Sequence, residues 1–334
     1  MELNFGRVEG LPPEEQQWLQ ELKYIYDYHR SANRKKRRYY NGKVTLNEVN
    51  LGIALPAGLG KLEIGCAWGA KTVDVLAGRS MFDGFVTENG TKSEDMDQIM
   101  KRNHLIAEYN KAVKEELKYG CAFAAVSGEE DDARVRFYSP HCAAASWNAH
   151  EGRIRYGFAF EDARRDESDV TWSPEHVNFY TDTDIWELDR IGGTWYATQN
   201  PHYFGEPLMV ALIWDATNDK PFGQSRLKEP VRRLIQGYVR TVANATIGLE
   251  FATSPQKYLL GVSDEQYDML IDNKFKQYVG SILYSTNNPE TGEKPNFGQL
   301  SQGNIEPHVQ MLRMLATQYS AATGLAATDV GVIN

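Results

Sequence analysis

Apolar side chains recur every three to four residues at Leu227, Val231, Leu234, Ile235, Tyr238, Val239, Val242, Ala245 and Leu249, one face of an α-helix. The other faces carry Arg232, Arg233, Gln236, Arg240, Thr241 and Asn244. Pro230 cannot donate a backbone hydrogen bond, so the regular helix is expected to start there, after an approach turn over Ser225 to Glu229. Roughly twenty residues at 1.5 Å each give about 30 Å. That length suits a pillar packed against copies of itself better than a surface helix of a compact enzyme.

The same pattern divides the rest of the chain. Residues 1–12 read as loose. Leu11-Pro12-Pro13 marks a helix entrance, followed by the stripe Trp18, Leu19, Leu22, Ile25 and Tyr26 and the basic run Arg34-Lys35-Lys36-Arg37-Arg38. That run is either an acidic-partner or nucleic-acid patch or, more simply, a solvated helix end where cations meet the negative dipole. From Leu51 to Phe85 the text is Gly-rich and loop-like. A helix is expected from Glu94 to Tyr119, opened by the capping pattern Thr91-Lys92-Ser93-Glu94 and closed at Gly120. Its expected buried face is Met96, Ile99, Met100, Ile106, Ala107, Val113 and Leu117.

Cys121–Val126 then reads as a strand, and residues 134–200 as an antiparallel meander. In it Ile154, Tyr156, Phe158 and Phe160 alternate with smaller or polar residues, and Gly192-Gly193 makes a hairpin turn. Acidic stretches at 129–132 and 161–169 read as solvated tips. Leu208–Trp214 reads as a covered strand. After the long helix, Ser263–Lys276 reads as a short helix, and Gln277–Tyr284 and Phe297–Leu300 as strands. Asn304 can cap a further helix with the apolar face Ile305, Val309, Leu312, Leu315, Tyr319 and Ala322, ended by Gly324. Leu325–Asn334 reads as a flexible tail.

Composition narrows the partners. The 334 residues carry a net charge of −9, which argues against tight passive DNA binding but leaves room for DNA that must slide. No run of about 18 apolar residues suits a membrane span, and Met1-Glu2-Leu3-Asn4 lacks a signal-peptide start. Cys66, Cys121 and Cys142 are widely spaced and form no metal-ligand pattern. Gly58-Leu59-Gly60-Lys61 fails as a phosphate loop, because Leu55 and Leu62 stand where Gly and Ser or Thr are needed. None of His29, His104, His141, His150, His176, His202 and His308 has the spacing of a nucleophile–base pair or a zinc motif. His141 and Cys142, as neighbours on a strand, would point to opposite faces. Asp182-x-Asp184 reads as a polar turn. The residues describe a scaffold without catalytic residues, metal or cofactor.

Several segments together resemble the portal proteins of long-tailed bacteriophages and related prophages. Leu51-Gly52-Ile53-Ala54-Leu55-Pro56, with Trp68, Val73-Asp74, Leu76, Arg79 and Phe82-Asp83-Gly84-Phe85, looks like the family's N-terminal wing. Tyr119-Gly120-Cys121-Ala122-Phe123 resembles its helix-to-strand step, Phe222-Gly223-Gln224-Ser225-Arg226-Leu227 the approach to its first stem helix, and Gly324 to Asn334 the start of its tunnel loop. The order and spacing of these segments carry the resemblance.

The resemblance implies an α+β fold, with a mixed wing over 1–220, a first stem helix over 221–258 and a small clip over 259–302. A second stem helix over 303–324 and the start of the tunnel loop over 325–334 follow. Portal chains continue into a crown, so this sequence is expected to be C-terminally truncated with the crown missing. The implied role is a structural subunit of a homo-oligomeric ring, expected to be a dodecamer, at the capsid vertex of the virion. It would be assembled in the bacterial host cytoplasm and have no membrane partner. Implied partners are double-stranded DNA in the channel, the terminase large subunit, scaffold and major capsid protein, and a head-tail adaptor.

Mapped here, DNA-channel candidates are Arg232, Arg233, Arg240, Arg313, Thr328 and Asp329. Subunit-interface candidates are Leu234, Tyr238, Val242, Leu312, Leu315 and Tyr319, and clip-docking candidates are Lys274, Lys276, Asn287 and Lys294. The alternatives are a metal-dependent nucleic-acid-processing enzyme and another ring component of the virion neck.

Overall fold

The computed structural model of the chain describes residues 3–45, 63–90, 93–128, 133–160, 174–253, 257–260, 292, 296–299 and 304–331. Within them the chain divides into two units. One comprises Met1–Val44, Gly65–Ile235 and Gln318–Asn334, the other Thr45–Ile64 and Gln236–Thr317. The acidic stretches 129–132 and 161–169, and the expected elements over 263–276 and 277–284, lie outside the described residues.

The first unit is built on a six-stranded sheet in the order β1-β10-β9-β8-β7-β6. Its strands are β1 (Val8–Glu9), β6 (Ala143–Asn148), β7 (Arg153–Phe160), β8 (His176–Tyr180), β9 (Asp184–Ile191) and β10 (Thr194–Pro201). The meander is antiparallel, as its alternation predicts. The β9–β10 hairpin pairs Ile191 with Thr194 across Gly192 and Gly193, whose φ values of 60° and 91° are the left-handed pair that a two-residue hairpin needs.

One face of the sheet buries Tyr156, Phe158, Phe160, Val177, Phe179 and Leu188 against Leu19 and Leu22 of α1 (Pro13–Tyr40). The other face meets a three-stranded sheet ordered β11-β4-β5, made of β4 (Cys121–Ser127), β5 (Arg134–Tyr138) and β11 (Met209–Ile213). Ile154 does not share a face with Tyr156. A register shift between Ser146 and Trp147 leaves Arg155 as an extra residue, and the strand rotates Ile154 into the second core. At Gly157 a Cβ would lie 2.6 Å from Met209 Sδ, so the bare backbone lets the two sheets close.

Further expectations change. Residues 3–9 are not loose. Leu3, Phe5 and Val8 are buried, β1 pairs in parallel with β10, and the Trp195 indole donates to the Asn4 carbonyl at 3.0 Å. The Gly-rich text near residue 70 hides a helix, α2 (Trp68–Ala77), which follows β2 (Lys43–Thr45) and β3 (Glu63–Gly65). Gly69 sits where a Cβ would meet the Tyr39 carbonyl at 2.2 Å, so it marks a close approach to α1 rather than a loop.

The single helix expected over Glu94–Tyr119 is two, α3 (Glu94–Arg102) and α4 (Leu105–Tyr119). His104 turns left-handed between them at φ 51°. Asn103 holds the break, donating to the Ile99 and Ala133 carbonyls at 3.0 Å each and accepting from Val135 N–H at 3.0 Å. The break rephases α4, so Leu105 and Ala112 are buried while Ile106 and Ala107 are exposed. Finally, β11 is an edge strand and leaves Val210 exposed.

The tail folds as well. Leu325 and Val330 are buried and Ala327–Val330 forms a short 3-10 helix. In the second unit, β12 (Lys257–Leu260) pairs antiparallel with β13 (Asn296–Gln299). The long helix, α5 (Glu229–Thr253), starts one residue before Pro230. The last helix, α6 (Glu306–Thr323), is opened by the Asn304 side chain, which accepts from Glu306 N–H at 2.9 Å. The chain passes between its units within α5 and again within α6.

Candidate functional site

The root of α5 is tied into the first unit by backbone and side-chain hydrogen bonds. Gly120 ends α4 at φ 111° and Gly223 turns at φ 72°. A Cβ on Gly223 would stand 2.2 Å from the Trp214 carbonyl oxygen and 2.7 Å from that of Gly120, so only glycine fits. Three backbone bonds close the crossing: Trp214 N–H to the Gly120 carbonyl, Gln224 N–H to that of Trp214, and Arg226 N–H to that of Leu117, each 2.9 Å. Ser225, itself buried, donates to the Lys118 carbonyl at 2.5 Å and accepts from Leu227 N–H at 2.9 Å. The end of α4 thereby receives the donors its last turn lacks.

Arg226 extends the tie. Its Nε donates to the Thr72 carbonyl of α2 at 3.0 Å and its Nη2 to the Thr323 carbonyl, the last of α6, at 2.5 Å. The guanidinium lies 5.6 Å from the Trp214 ring. A cation at a helix C-terminus also meets the negative end of the dipole. Burial lowers the Arg226 pKa from its usual value without neutralising so basic a group.

Beside it, fully buried Tyr319 shares a 2.5 Å hydrogen bond with the Thr72 hydroxyl. Tyr319 donates to the Trp68 carbonyl at 3.0 Å, and its ring lies 4.7 Å from that of Trp68. On the α1 side, Lys36 turns inward from the basic run and donates to the Tyr119 carbonyl at 2.7 Å. Burial pulls its pKa down to about 8, helped by the nearby Arg232 cation and opposed by Cys121.

The sequence candidates separate into three groups. Leu315 and Tyr319 are buried within the chain, Leu315 against Gly237 and Tyr319 against α2, so neither is available to a neighbouring subunit. Arg232 is also engaged: its Nη1 donates to the Leu227 carbonyl at 2.6 Å and its guanidinium lies 6.0 Å from the Tyr39 ring. Tyr39, half of the stack, belongs to α1.

Leu234, Tyr238, Val242 and Leu312 are half-buried, as is Arg240. Arg233 is exposed and pairs with Glu229 at 2.9 Å, and Arg313 and Thr328 are exposed, with Asp329 half-buried. Lys274, Lys276, Asn287 and Lys294 lie outside the described residues.

Pattern reading missed the roles of Ser225, Arg226 and Thr72, because their partners are backbone carbonyls far away in sequence. The glycines at 120 and 223 were the available signal.

His141 and Cys142 sit in a turn, with Cys142 N–H donating to the Ser139 carbonyl, rather than on a strand. His141 Nε2 is 3.0 Å from the Tyr119 hydroxyl. Asp184 is buried at the start of β9 and accepts from Thr183 at 2.5 Å and Gln199 at 2.8 Å, a structural turn. Among the described residues no three His, Cys, Asp or Glu side chains come together in a way that could hold a metal ion. None of the described helices is long and apolar enough to cross a membrane.

The sequence model of a family described as phage portal protein, SPP1 Gp6-like, matches residues 19–213, more than half of the chain. No curated protein matches. Two similar solved structures are the neck of an empty GTA particle computed with C6 symmetry and the neck of a native GTA particle computed with C12 symmetry. The first has a TM-score of 0.49 at 12% identity, over 81% of this chain and 68% of that chain. The second has a TM-score of 0.46 at 11% identity, over 80% and 67%.

Proposed function

The chain belongs to the SPP1 Gp6-like family of phage portal proteins, structural components of the virion, and on that premise we propose that it is the repeating subunit of a dodecameric ring at one capsid vertex. Its axial channel passes double-stranded DNA during packaging and ejection. In this reading residues 1–220 are the wing, α5 and α6 the stem helices, 259–302 the clip, and 325–334 the start of the tunnel loop. The clip side docks the terminase large subunit and later the head-tail adaptor, while the wing meets scaffold and major capsid protein. Assembly takes place in the host cytoplasm.

The observation that supports the ring is the unfinished apolar surface of the two long helices. Leu234, Tyr238 and Val242 of α5 are half-buried and Leu249 is exposed, and Val309, Met311 and Met314 of α6 are exposed. A closed ring joins one face of a subunit to a different face of the next, so each helix can offer a separate half of the contact. DNA that must move is held weakly: ~6–10 phosphate contacts already change affinity by about 10³–10⁵ between low and moderate salt. Arg233, Arg240 and Arg313 are few cations in a chain of net charge −9, which suits centring DNA without trapping it. Arg232, held to its own helix and to Tyr39, acts as a structural residue.

Native mass spectrometry of the purified protein tests this reading. It predicts one dominant species at a ring-sized multiple of the 37.8 kDa chain. A chain that stays monomeric, or stops at a two-fold dimer at every concentration, contradicts it.

A further inference from the structure

We draw no further inference here: the strongest candidate, the surface patch formed by exposed Tyr203 and Phe204 in the loop that leads into the edge strand β11, carries nothing, because nothing in the structure shows what covers it.

Discussion

At the root of α5, Leu227, Val231 and Ile235 are buried, and Ser225 and Arg226 hold carbonyls of α4, α2 and α6. Beside and beyond them, Val239 and Ala243 are also buried, but Leu234, Tyr238 and Val242 stay half in solvent and Leu249 is exposed. Helix α6 shows the same contrast in reverse, with Leu315, Ala316, Tyr319 and Thr323 buried near its end and Val309, Met311 and Met314 exposed before them. Apolar surface left in water forgoes roughly 25 cal/mol per Å² of burial. Directional hydrogen bonds thus fix the helices where one chain must be self-sufficient, and non-directional apolar surface remains where a neighbour can complete it.

The contrast can be broken first at the root. Gly223→Ala is expected to cost about 3 kcal/mol or more, because its Cβ meets two carbonyls in a left-handed backbone. Denaturant unfolding should show it, and a near-neutral result would mean the crossing is not tight. Arg226→Ala is next, at ~2–3 kcal/mol for two carbonyls losing a charged donor. Arg226→Lys should recover part of this through its charge alone. Hydrogen exchange of residues 318–330 is expected to rise in Arg226→Ala, and unchanged protection there would show that the guanidinium does not hold the end of α6. Tyr319→Phe keeps the ring and loses the hydroxyl, for about 1 kcal/mol.

Tyr238→Ala probes the half-buried part of α5. It should cost the isolated chain no more than about 1 kcal/mol and yet deplete the ring-sized species. A large stability loss without an assembly defect would place Tyr238 with the root instead.

The smallest effect is a pH dependence. Lys36 titrates at about 8 in the folded chain against an ordinary 10.5. Between those values the unfolded chain binds the extra proton, so this group raises stability as pH rises, with a slope of up to about 1.4 kcal/mol per pH unit. Below pH 8 both states are charged and the burial penalty stands in full. Cys66 and Cys121, whose thiols burial pushes up to about 11 and about 12 from an ordinary 9.0, tilt the curve the other way above pH 9. The Lys36 effect is therefore the difference between the parent and Lys36→Met, and identical slopes from pH 8 to 10 would refute it.

Local signals in the sequence located much of this fold. The period of α5, Gly120 at the end of α4, the Gly192-Gly193 hairpin and the Asn304 cap each act within a few residues. What the pattern did not disclose depends on distant partners. The edge strand at Val8 exists because Phe5 packs 5.8 Å from Phe158 and 5.4 Å from Trp195. Gly69 looked like a loop residue because its reason, the Tyr39 carbonyl, is thirty residues away. The break before α4 has neither glycine nor proline and depends on Asn103 reaching Ala133. For the site, an apolar helix face was legible, but not which of its residues the chain would bury itself. Leu315 and Tyr319 have the same period as Leu312 and differ only in what folds against them.

Electron cryomicroscopy of the assembled protein shows whether neighbouring subunits cover the half-buried turns of α5. The expected result is rings with an axial hole wide enough for duplex DNA, in which Leu234, Tyr238 and Val242 are covered by the adjacent subunit. Rings in which those three side chains remain in solvent or face the lumen, or preparations without rings, would contradict it.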